Sequence, residues 1–188
     1  PLSGQAAANP GEIQDLVAQV NADSMMLTVK RLVAFETRFM GSDSNRAAGD
    51  WIGTRLGEMG YTATYDSFQV DVNRVVLGRR FTLSGLTQVN VMAVHRGIQT
   101  PEKKIVLGAH FDSISLDRDQ DHQGFAPGAD DNATGVAAVL EIARVLKDVQ
   151  TSMTIEFALF GAEELGLVGS EAAAAAADAI EALREPSD

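Results

Sequence analysis

Glu163 and Glu164 lie just past the apolar run Met153–Phe160, after Gly161 and Ala162, and His110, with Asp112 two residues on, closes a second apolar run, Lys104–Ala109. Asp130 and Asp131 lie between the two, at the head of an amphipathic stretch. Imidazole nitrogens and carboxylate oxygens are what a divalent metal takes where thiolates are lacking, and this chain has no cysteine. A carboxylate beside such ligands can move a proton from a metal-activated water. Together these residues have the makings of metal-assisted hydrolysis.

Each residue alone has a plainer use. A lone histidine at a strand end is commonly structural, and acids before a helix cap it or complement its dipole. Adjacent aspartates, however, repel each other unless a cation is near. The run Ala126-Pro127-Gly128-Ala129 before them makes a tight turn, as a ligand-presenting loop requires. Adjacent glutamates cannot face the same way in regular structure, which suits split roles: one on a metal, one on a water. His110 and Asp112 point to one side of an extended strand end. That spacing reads as a ligand, His110, with Asp112 accepting from its far ring nitrogen. Asp117, Asp119 and Asp121 begin like a calcium loop, but His122 stands where that loop needs glycine and Gly128 where it needs glutamate. They read as a solvated acidic loop, and His95 and His122 as structural or surface residues.

Such a site needs a frame that brings strand ends together. Strand Lys104–Ala109, helix Ala133–Lys147 and strand Met153–Phe160 form a βαβ unit, which implies parallel strands and a right-handed crossover. Ligands gather beyond the carboxyl ends of strands in such sheets. Upstream, the pattern predicts helices over Glu12–Val20, Asp23–Phe35 (with Asp23 or Ser24 as N-cap) and Asn45–Met59. The last has Ala48, Trp51, Ile52 and Leu56 on one face and Gly60 past its end. Strands are expected over Tyr61–Val70, Phe81–Leu83 and Val89–Val94, with a glycine-containing turn between the last two. An alanine-rich helix, Ser170–Arg184, follows. Residues 1–10 read as a loose leader and 185–188 as a tail.

At 188 residues the chain is expected to form a single domain with a real core. A net charge of −11 argues against nucleic acid as a partner. No apolar run approaches the roughly 20 residues of a membrane span. The first residue is proline rather than methionine, as in a processed or trimmed product, and the expected location is secreted or periplasmic.

Three motifs taken together, Gly108-Ala109-His110-Phe111-Asp112-Ser113, Ala126-Pro127-Gly128-Ala129-Asp130-Asp131-Asn132-Ala133-Thr134-Gly135 and Ala162-Glu163-Glu164-Leu165-Gly166, resemble the co-catalytic dizinc aminopeptidases of metallopeptidase clan MH. The similarity runs from about Asp23 to Ser170. It implies an α/β fold of zinc-exopeptidase type, with a mixed, largely parallel sheet flanked by helices. It also implies two zinc ions: His110 on one, Asp130 bridging both, Glu164 on the other. Glu163 would be the general base acting on a peptide substrate, Asp112 would orient His110, and the Asp130–Asp131 bond would be cis. The family takes a further Asp and His after the Glu-Glu segment, whereas after Glu164 this chain has Asp178 and Asp188 and no histidine. The expected domain is therefore incomplete at its C-terminal side, with weak zinc binding and uncovered apolar surface. A longer enzyme or a second chain would complete it. Carboxypeptidases and glutaminyl cyclases of the clan share this front half. The alternative is a non-catalytic, peptidase-like binding module, against which the retained Glu163 speaks.

Overall fold

The computed structural model describes residues 10–76, 78–117 and 123–182. Its elements are α1 (Pro10–Val17), α2 (Ala22–Val33), α3 (Asp43–Glu58), β1 (Thr64–Val76), β2 (Arg79–His95), β3 (Thr100–His110), α4 (Thr134–Leu146), β4 (Met153–Phe160) and α5 (Val168–Ala182). The leader expected over 1–10 (Pro10 apart), the 185–188 tail, Asp119, Asp121 and His122 lie outside the described residues.

Local chemistry sets the helix ends. Pro10 opens α1, where a fixed φ and a missing N–H cost nothing. Asn21, rather than Asp23 or Ser24, caps α2: its backbone is extended and its side chain accepts from the Ser24 N–H at 3.0 Å. Ser42 caps α3 through the Asn45 N–H, and Gly60 beyond the other end takes φ +94°.

The sheet has the order β1-β2-β4-β3. It is mixed, as expected, but among the described strands not largely parallel: β1–β2 and β2–β4 are antiparallel and only β3–β4 is parallel, because the long β1–β2 hairpin joins the βαβ unit through β4. Phe81–Leu83 and Val89–Val94, expected as two strands, are one. Gly85, at φ +69°, faces a register shift between Val70 and Val72, and its N–H donates to Asp71 Oδ1 at 3.1 Å. The glycine serves a bulge within a strand, not a turn.

The main core lies between the sheet and helices α2, α3 and α4. Leu32, Ile52, Leu56, Val136 and Leu140 meet Val91, Phe157 and Leu159 there. A second cluster, Phe39, Met40, Val70, Val72, Phe81, Ile114 and Leu165, fills the curl of the β1–β2 hairpin. Across the sheet, Val94, Glu156 and Val106 stand in one row on β2, β4 and β3. Val94 is 51% exposed and Val106 56%, which matches the expectation of uncovered apolar sheet. Among the described residues β3 has no partner on its outer edge, and no helix is long and apolar enough to cross a membrane.

Candidate metal centre

The parallel register of β3 and β4 pairs His110 with Phe160, so the two strands end side by side. The chain leaving β3 carries Asp112, and the chain leaving β4 carries Glu163 and Glu164. His110 Nε2 lies 2.9 Å from Asp131 Oδ1 and 3.7 Å from Glu163 Oε2. One ligand atom from each of His110, Asp131 and Glu164 falls within 4.8 Å of the others.

Asp130, the residue expected in this group, is not in it. Its backbone carbonyl accepts from Thr134 Oγ1 at 2.8 Å, tying it to the first turn of α4. The turn Ala129–Ala133 leaves helical geometry at Asp131 (φ −112°, ψ 93°) and Asn132 (φ −136°, ψ 45°). That departure turns the Asp131 carboxylate toward His110. The cis peptide bond likewise falls one bond later than expected, at Asp131–Asn132. Capping falls to the next side chain: Asn132 Oδ1 accepts from the Gly135 N–H at 2.9 Å.

Asp112 is 1% exposed, and its two carboxylate oxygens accept the backbone N–H groups of Glu163 (3.0 Å) and Glu164 (3.1 Å). It also faces His110 Nδ1 at 3.5 Å, and that buried nitrogen has no hydrogen-bond partner among the described residues. In this geometry Asp112 first of all holds the acidic turn. Asn90 braces the flanks of that turn, accepting from the Gly161 N–H (3.1 Å) and donating to the Gly169 carbonyl (2.8 Å).

The crowding of carboxylates shows in the titration of the cluster. Burial works against a charged His110, yet Asp112 beside Nδ1 and the carboxylates of Glu163 and Glu164 outweigh it, and its pKa is pushed up to about 9. Burial and the neighbouring charges of Asp112 and Asp131 push Glu164 up to about 8, against the pull of His110. Negative charge drawn together without enough positive charge to balance it contributes to both shifts, and burial adds to it at Glu164 while opposing it at His110. An imidazole lone pair and carboxylates aimed at one point suit a divalent cation, which would take the place of those protons.

Arg38 had no signal in the sequence, yet it sits under the whole centre. It is fully buried, and its guanidinium donates to four carbonyls: Leu32 (3.0 Å), Phe111 (2.6 Å), Pro127 (2.6 Å) and Gly128 (3.0 Å). Its main chain is held by Ser113 Oγ (2.9 Å) and by Asn45 Nδ2 (2.9 Å). Burial lowers its pKa, and the charges of Asp112 and Glu164 oppose that. His95, by contrast, meets the Val149 carbonyl at 2.8 Å and the Tyr61 ring edge, a structural place as expected.

Comparison with known proteins places the chain among zinc peptidases by sequence and fold. Peptidase family M28 matches residues 90–184, a span that includes all of the residues from His110 to Glu164. A protein named a probable zinc metalloprotease from Pyrenophora tritici-repentis is 30% identical over 175 residues, covering 85% of this chain and 38% of its own length. Among solved structures, a leucine aminopeptidase precursor from Bacteroides thetaiotaomicron superposes with a TM-score of 0.58 at 29% identity, over 77% of this chain and 48% of that one. Porphyromonas gingivalis glutaminyl cyclase does so with a TM-score of 0.60 at 29% identity, over 81% and 49%. The chain thus spans about four-tenths of the length of the curated relative and half of the solved ones.

Proposed function

The chain belongs to peptidase family M28, and from that premise we propose that it carries the front part of a zinc-dependent aminopeptidase. The observation that carries the reading is the convergence of His110, Asp131 and Glu164 within 4.8 Å, with Glu163 beside them. Zinc, when bound, supplies Lewis acidity to the scissile carbonyl and lowers the pKa of water. His110, Asp131 and Glu164 are the residues that would hold it, with Asp131 in the place expected of Asp130. Three protein donors meet the need of one catalytic zinc. A second zinc needs the further Asp and His that the resemblance implies, which we assign to the remaining length seen in the relatives or to a second chain.

Glu163 acts as the general base. Its side chain is 32% exposed, so solvent and a peptide reach it, and its backbone is fixed by Asp112. From there its carboxylate takes a proton from the attacking water and returns it to the leaving amine. Asp131, 76% exposed, leaves the centre open on the side where a peptide would enter.

The test uses the full-length protein with a leucyl chromogenic substrate and a peptide with N-terminal glutamine. Release of the leucyl chromophore that a chelator abolishes and zinc restores supports an aminopeptidase. Ring closure of the glutaminyl peptide without hydrolysis assigns the site to the cyclase branch instead. Binding of peptide with neither reaction makes the chain a binding module.

A further inference from the structure

A fully buried arginine is costly to keep, and a salt-bridge partner usually offsets the cost. Arg38 is held otherwise: among the described residues, every hydrogen bond of its guanidinium goes to a carbonyl oxygen. Those carbonyls belong to three separate segments. Leu32 is in the last turn of α2, where the helix dipole favours a cation. Phe111 lies between His110 and Asp112. Pro127 and Gly128 lie in the turn that delivers Asp131. The planar fork of Arg38 thus spans the gap between the strand end and the turn, the two pieces of backbone whose separation decides how far His110 stands from Asp131.

We propose that Arg38 is a positioning residue for the metal centre: by tying the Phe111 carbonyl to those of Pro127 and Gly128, it sets the His110–Asp131 spacing at which a metal is held. The inference rests on the reading of these two residues as ligands. Three details support it. Ser113 Oγ donates to the Ala126 carbonyl (2.8 Å) while accepting the Arg38 N–H, so the same strand end and turn are joined a second time around Arg38. Gly128, at φ +50°, has no room for a side chain: a Cβ there would come within 2.7 Å of Arg38 Nη2 and 2.6 Å of the Asp131 carbonyl oxygen. The positive charge also lies where it is felt by Asp112 and Glu164. A lysine would keep that charge but could not reproduce the fork, because its three donors radiate from one nitrogen.

The test compares the full-length protein with its Arg38→Lys variant. Zinc affinity is measured by chelator competition, the visible spectrum of bound Co²⁺ reports ligand geometry, and circular dichroism reports the fold. The expected result is an unchanged fold, an affinity lowered about 10–100-fold, the range for outer-shell partners, and an altered Co²⁺ spectrum. A folded variant with parental affinity and spectrum overturns the role of Arg38 and leaves the metal centre standing. A parent protein that binds neither metal overturns both. Should the variant fail to fold, NMR of the parent decides: the Arg38 Nε–Hε resonance shifts on zinc addition while that of Arg74 does not. An unmoved Arg38 resonance refutes the proposal.

Discussion

His110 and Asp131 are 21 residues apart in the chain and meet nitrogen to oxygen at 2.9 Å, across the space between a strand end and an irregular turn. That contact places Asp131, and not its neighbour Asp130, in the centre. Asp131→Asn should therefore lower zinc affinity by more than the about 10–100-fold typical of an outer-shell change. Asp130→Asn should leave affinity at the parental value. Chelator competition on both variants checks this, and a larger loss in Asp130→Asn would refute the assignment.

The raised pKa values of His110 (about 9) and Glu164 (about 8) give the metal-free protein a definite response to pH. Both groups bind protons more tightly folded than unfolded, where they titrate near 6.5 and 4.5. Their contribution to stability is complete below those values and disappears as pH rises through 8 and 9. Melting temperature without zinc should accordingly fall between neutral and alkaline pH. Zinc must displace the same protons, so its affinity should rise with pH over this window, with proton release visible by calorimetry in buffers of different ionisation enthalpy. A pH-independent affinity would contradict the shifts.

Glu163→Gln keeps the shape of the side chain, and Asp112 still receives the backbone N–H of residue 163. Zinc occupancy should stay nearly parental while kcat falls by about 10²–10⁴-fold, the usual loss with a general base. Steady-state kinetics on the full-length protein with metal analysis separates the two effects. Full turnover would exclude the base role.

Gly128→Ala meets both a left-handed backbone and three close atoms, those of Arg38, Ser113 and Asp131. A loss of about 1–3 kcal/mol in unfolding free energy is expected from strain of this kind. Urea unfolding measures it. A neutral substitution would show that the turn can rearrange.

The parts of this site that were legible in the sequence are those ruled by periodicity. His110 and Glu163 are found at strand ends because a βαβ unit with apolar strands leaves little choice about where its chemistry collects. The choice between Asp130 and Asp131 was not legible, since it depends on the dihedrals of one irregular turn and not on residue type. Gly85 was misread for a related reason: a glycine between two apolar runs looks the same at a turn and at a bulge, and only the partner strand, through Asp71, tells them apart. Arg38 left no trace at all. Its partners are backbone carbonyls, which every residue has.

The row Val94–Glu156–Val106 has a bearing on solubility. One carboxylate, paired with Lys104 at 3.1 Å, separates two exposed valines next to an open strand edge. Glu156 and Lys104 thus interrupt the row, and losing the charge of Glu156 would join the two valines into one apolar strip on this face of the sheet.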